Sequence, residues 1–109
     1  MGISKTKLFE EKEVKLAKIC KALGHPARVR ILEFLLKEKT ANCNQIVEHL
    51  PLAQSTVSQH LSEMKIAGLL DSIGRKTSMI YSVNTDNLAM SQKMLSALFF
   101  PKVVQQTLF

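Results

Sequence analysis

Two cysteines in 109 residues are too few for the disulfide framework of a small secreted domain, and Cys20 and Cys43 fit a reducing cytoplasm. Only four glycines are present, and none forms a phosphate-cradling loop. With no Ser/His/Asp order and no nucleophile elbow either, nothing points to an enzyme. The three histidines, His25, His49 and His60, share no spacing with a zinc motif. No apolar run is long enough to span a bilayer, and the start Met1-Gly2-Ile3-Ser4-Lys5 lacks the apolar core of a signal peptide. Met1-Gly2 with Thr6 touches an N-myristoylation pattern, but the second membrane signal that stable anchoring takes is missing. The expectation is a cytoplasmic, non-enzymatic protein without a membrane or cofactor.

What the chain does carry is positive charge. Fifteen Lys and Arg against nine Asp and Glu give a net charge of +6, an excess that favours a polyanionic partner through counterion release. Lys5, Lys7, Lys12, Lys15, Lys18 and Lys21 crowd the first segment beside Glu10, Glu11 and Glu13, which reads as the solvated side of an amphipathic helix. Arg28, Arg30, Arg75 and Lys76 have fewer acidic neighbours and are the first places to seek phosphate contacts.

At this length residues 1–109 form one domain with a modest core, and oligomerisation is a natural route to further burial. Phe9, Leu16, Ile19, Cys20 and Leu23 predict a first helix, over about 3–23, with one apolar stripe. His25-Pro26 opens a second helix, because proline suits the first turn, and Ile31, Leu32, Leu35 and Leu36 form its apolar face. Asn42 and Gln45 have the spacing of a capping box for a short third helix bearing Ile46, Val47 and Leu50 and ended by Pro51. Asn84-Thr85-Asp86-Asn87 caps a last helix, over about 86–100, with Leu88, Met94, Leu95, Leu98 and Phe99 apolar.

The most informative stretch is the fourth helix, opened by Gln54-Ser55 after a tight Pro51-Leu52-Ala53 connection. Val57, Leu61 and Met64 recur at helical spacing, while Gln54, Ser55, Thr56, Ser58 and Gln59 populate the other side. A solvated helix face usually carries Lys and Glu. Gln, Ser and Thr instead exchange hydrogen bonds with base edges, and a Thr methyl packs on thymine. Beyond it, Leu69 to Ile73 and Ser78 to Val83 flank Gly74-Arg75-Lys76-Thr77, a hairpin with two cations at its tip. The hairpin's own folding does not call for that pair, whereas a phosphate backbone or narrow minor groove attracts it. The expected fold is mainly α with a small β-hairpin: a winged helix-turn-helix of five helices and a two-stranded wing.

Residues 22–83 resemble the ArsR-type family of winged-helix repressors. Ala22-Leu23-Gly24-His25-Pro26-Ala27-Arg28-Val29-Arg30-Ile31-Leu32 resembles the family's second-helix entry, and Ser55-Thr56-Val57-Ser58-Gln59-His60-Leu61 resembles its recognition helix. Ala67-Gly68-Leu69-Leu70, Gly74-Arg75-Lys76 and Tyr81 look like its wing. The resemblance implies a homodimeric repressor of double-stranded DNA, joined through its first and last helices. Phe9, Leu16, Cys20, Met94, Leu98 and Phe99 are the candidate interface residues. Metal-sensing members carry two cysteines one residue apart at the start of the third helix; Asn42 and Asn44 stand there, with Cys43 between them. Their second site takes acidic and histidine ligands from the last helix, and residues 86–99 hold one Asp and no His. Metal sensing is therefore not expected to carry over.

Candidate DNA contacts are Gln54, Ser55, Thr56, Ser58, Gln59 and His60 on the recognition helix, with Arg75, Lys76 and Arg28 on wing and backbone. His60 has a competing role as a buried, paired residue beside Leu61. His25 is expected to begin its helix and His49 to lie at the surface. Cys20 and Cys43 are candidate redox thiols, set against simpler roles as an apolar filler and a helix-start residue. Two other functions fit a winged helix: a protein-interaction module and a thiol-responsive repressor. The first has no use for the uncharged polar face or the basic tip.

Overall fold

A computed structural model describes residues 8–75 and 78–100. Five helices and three strands follow in the order α1 (Glu11–Ala22), α2 (Pro26–Glu38), β1 (Thr40–Asn42), α3 (Cys43–Val47), α4 (Gln54–Ile66), β2 (Leu70–Ile73), β3 (Ile80–Val83) and α5 (Thr85–Phe99). The strands form an antiparallel sheet in the order β1-β3-β2. Among the described residues no helix is long and apolar enough to cross a membrane.

Local chemistry sets the boundaries. Glu13 Oε1 accepts the Glu10 backbone N–H at 2.9 Å, so α1 begins at Glu11. The expected helix from about residue 3 is shorter at this end. Phe9 precedes α1 and is exposed, and residues 3–7 lie outside those described. His25 caps α2, its Nδ1 accepting the Ala27 N–H at 3.0 Å, with Pro26 in the first turn. The capping box at α3 is formed in both directions: Asn42 Oδ1 accepts from Gln45 N at 2.9 Å and Gln45 Oε1 from Asn42 N at 2.8 Å. Asn84 caps α5 by accepting the Asn87 N–H at 2.9 Å.

The fourth helix ends in a Schellman motif. Gly68, at φ +86°, takes the left-handed position, while Leu69 N donates to Met64 O and Gly68 N to Lys65 O, both at 3.0 Å. Met64 and Leu69, the two residues that this motif brings together, are both fully buried. Asn87 on α5 then donates to the Gly68 carbonyl at 2.8 Å, tying the last helix to the entrance of the hairpin.

One strand was not expected. Thr40 to Asn42 pairs with β3 as Thr40↔Ser82, Ala41↔Tyr81 and Asn42↔Ile80, so β3 of the hairpin is the central strand of a three-stranded sheet. Pairing at Ala41 and Tyr81 turns both side chains into the core. That core is continuous from Ile19 through Ile31, Leu35, Ile46, Val57 and Leu61 to Met64, Leu69 and Leu70. Leu16 is also only 8% exposed, so it belongs to the chain's own interior rather than to an outward stripe.

Candidate nucleic-acid interface

Residues Gln54, Ser55, Thr56, Ser58 and Gln59 all lie exposed on α4, and Val57, Leu61 and Met64 between and beyond them are completely buried. A helix with one face interred is rigidly held, so its other face is presented at fixed spacing. That face is free of charge through its first two turns. Its N-terminus carries no side-chain cap either, because Ala53 stands at the capping position. The first-turn N–H groups are therefore left to solvent or to an anion.

His60 departs from this set. It is 8% exposed, its Nδ1 accepts from Arg28 Nε at 2.9 Å, and its ring centroid lies 4.5 Å from that of His25. Burial, then the Arg28 charge, then His25, lower its pKa from the ordinary imidazole value. The base-contact expectation for His60 gives way to the alternative of a buried, paired residue. Arg28 is likewise half-buried and employed inside the protein, its second bond running from Nη1 to the Ala22 carbonyl at 3.2 Å. It is not the free phosphate-seeking cation suggested by its sequence surroundings. Arg30 is exposed.

At the hairpin, Gly74 adopts φ +102°, and a Cβ there would lie 2.7 Å from the Ser78 carbonyl oxygen, so glycine is required. The turn is closed by Ser78, whose N–H and Oγ both bond the Arg75 carbonyl, at 2.7 and 3.0 Å. Arg75 itself is exposed. Lys76, the other expected cation of the tip, lies outside the described residues.

The flank formed by α1 and α5 is apolar and open. A groove of about 610 Å³ runs between them, lined by Ile19, Cys20, Leu23, Leu88, Leu95 and Phe99 among others. Leu98 and Phe99 remain 65% and 75% exposed, Cys20 is exposed, and Met94 is half-buried. Ser91, buried on α5, satisfies its hydroxyl on the Asn87 carbonyl at 2.9 Å.

The residues at the family's metal positions do not suit a soft metal. Asn42 Oδ1 is committed to its helix cap and Asn44 is an exposed amide. Cys43 is half-buried, and burial raises its thiol pKa, against thiolate formation. Among the described residues no three His, Cys, Asp or Glu side chains gather as a metal site.

An uncharged helix face set against a compact core and followed by a sheet hairpin is the arrangement of the winged helix-turn-helix regulators. Solved structures agree: an ArsR-like transcriptional regulator from Rhodococcus sp. RHA1 superposes with a TM-score of 0.71 over 82% of this chain and 83% of its own, at 20% identity. HlyU from Vibrio cholerae N16961 does so with a TM-score of 0.65 at 27% identity, covering 84% of this chain and 98% of its own. Residues 25–72 match the family described as bacterial regulatory protein, arsR family. The transcriptional repressor PagR of Bacillus anthracis is 36% identical over 80 residues, 73% of this chain and 80% of PagR. The chain belongs to the arsR family, whose members are DNA-binding transcriptional regulators and not enzymes.

Proposed function

We propose that this protein represses transcription in the cytoplasm as a homodimer, laying one α4 from each copy into successive major grooves of an inverted-repeat duplex about 34 Å apart. The observation that carries this reading is the α4 face itself. Five uncharged hydrogen-bonding side chains stand exposed on a helix whose opposite side is buried to the last atom at Val57, Leu61 and Met64. Gln54 and Gln59 suit adenine N6 and N7, Ser55 and Ser58 accept or donate, and the Thr56 methyl suits thymine. Arg75, with Lys76, supplies phosphate or minor-groove contacts from the hairpin.

Dimerisation joins the α1 and α5 flanks of two copies, covering Cys20, Met94, Leu98 and Phe99, with Phe9 at the margin. The open apolar groove and the exposure of Leu98 and Phe99 support it. The regulator works without the family's metal sites, supported by the cap commitment of Asn42 and the absence of histidine from α5. Thiol control through Cys43 is disfavoured by its raised pKa.

The test is selection of duplexes from a random library by the wild-type protein, followed by binding of Gln59→Ala and Arg75→Ala at stated salt. Gln59→Ala relaxes preference at one base pair by about 1–3 kcal/mol. Arg75→Ala weakens all duplexes alike and lowers the salt slope by about one unit. A uniform loss with Gln59→Ala would take that residue out of direct readout.

A further inference from the structure

Two polar side chains are buried among the described residues, Ser91 and His60. The serine satisfies itself within its own helix, whereas His60 bonds across 32 residues of chain to Arg28. Through Nη1 the same guanidinium holds the carbonyl of Ala22, the last residue of α1. One arginine thus fastens the end of α1, the first turn of α2 and the middle of α4 together. Each bond uses a lone pair. The His60 bond exists only while Nδ1 carries no proton, and the guanidinium remains charged at any working pH.

The surroundings sharpen that requirement. The His25 ring lies 4.5 Å away, tilted by 52°, and uses its own Nδ1 lone pair on the Ala27 N–H; among the described residues no carboxylate is bonded to His60. On the side of Arg28, Lys18 and Lys21 of α1 and Glu63 of α4 line with it a shared groove. The other elements packed on α4 contribute little. α3 carries no acidic or basic residue, its Cys43 being a neutral thiol of raised pKa, and Asp71 of β2 is bonded by Asn84 Nδ2 at 3.2 Å. The positive end of α2 points the same way as Arg28 and His25.

We propose that Arg28 and His60 form a proton-sensitive latch positioning the DNA-reading helix, so that uptake of a proton by His60 frees α4 from α2 and weakens DNA binding. The proposal rests on the reading of α4 as the helix that meets DNA. His60 is a positioning residue, acting through the placement of Gln54 to Gln59 rather than by touching bases. Its folded-state pKa is depressed, so the latch contributes fully above the ordinary histidine range and is lost as pH falls through the depressed value. Asparagine tests this, since its Oδ1 reaches close to the place of Nδ1 and accepts the same bond without titrating.

The experiment measures affinity for a duplex selected at neutral pH, from about pH 8 down to about pH 5 at constant ionic strength, for wild type, His60→Asn and His25→Asn. Below the His60 pKa the wild-type affinity falls by up to about tenfold per pH unit. His60→Asn keeps the neutral-pH affinity and loses that slope, while His25→Asn, which retains a capping side chain, keeps the slope with its midpoint moved upward, because one of the groups that lower the His60 pKa has gone. Nitrogen NMR of the free protein runs in parallel: Arg28→Ala raises the His60 titration midpoint, because a donor and a positive charge have gone. An equal slope in His60→Asn and wild type, or a slope that disappears with His25→Asn instead, overturns the proposal. If His60→Asn fails to fold, the midpoint in Arg28→Ala decides, and an unchanged midpoint is fatal to the latch. If no duplex is selected at all, the reading of α4 falls, and the same midpoint still judges the Arg28–His60 bond.

Discussion

The helix-turn-helix half of this molecule and its α1–α5 flank treat apolar side chains in opposite ways. In α2, α3 and α4 the large aliphatic residues Ile31, Leu35, Ile46, Leu61 and Met64 are all but removed from solvent by one chain alone. On the flank, Leu98 and Phe99 stand in water, and the groove beside them is lined with further apolar residues. The core of the first region is finished within one chain, although Ile66 at the end of α4 stands 78% exposed. The second has a face that burial against a second copy would stabilise, by roughly 1.5–3 kcal/mol for each large side chain covered. Stability of the fold and the proposed assembly of two copies therefore draw on different residues.

The largest expected effect comes from cutting into the finished half. Leu61→Ala leaves a cavity at a fully enclosed position of α4 and costs about 2–5 kcal/mol, read as a lower denaturant midpoint with unchanged m-value. A cost below about 1 kcal/mol would show that α4 is not held by that core.

Next is the flank, where Leu98→Asp with Phe99→Asp spares the protomer and removes the surface for a partner. Far-UV helicity is retained, while the dimer dissociation constant rises by about a hundredfold, equivalent to about 3 kcal/mol, in sedimentation equilibrium. Unchanged self-association would move the interface elsewhere.

A smaller effect separates folding from function on one residue. Ala53→Asp supplies the missing α4 cap and raises stability by about 1 kcal/mol, yet sets a carboxylate beside the proposed path of the phosphates and weakens DNA binding. Gain in both would remove the α4 N-terminus from the interface.

The smallest is at Lys39, which ends α2 at φ 77° and ψ −55°, a region costly for a residue with a Cβ. Lys39→Gly raises the stability by about 0.5–1 kcal/mol and leaves DNA affinity alone. A destabilised variant would mean that the Lys39 side chain matters more than its backbone.

Much of the helix-turn-helix is legible in the chain because its signals are local. Val57, Leu61 and Met64 declare a buried face by spacing, Asn42 with Gln45 declares a cap, and Gly74 declares a turn. β1 was hidden because Thr40-Ala41-Asn42 is too short to show alternation, and its strand character comes from pairing with β3 across some forty residues. Long range also hid the Arg28–His60 bond. Arg28 reads as a free cation from its neighbours in sequence, and only the packing of α2 on α4 shows that its guanidinium is occupied. Leu16 illustrates the same limit, since periodicity marks an apolar stripe without saying which neighbour covers it. The flank's stripe divides accordingly: Leu16 and Ile19 turn inward, while Cys20 remains outside.

In the proposed assembly, two copies joined through α1 and α5 present their α4 helices to one duplex. Sedimentation velocity of the protein with a selected inverted-repeat duplex, against a duplex holding a single half-site, tests it most directly. The expected result is two chains per inverted repeat, bound without added metal, and much weaker binding to the half-site. One chain per duplex with equal affinity for both would contradict it.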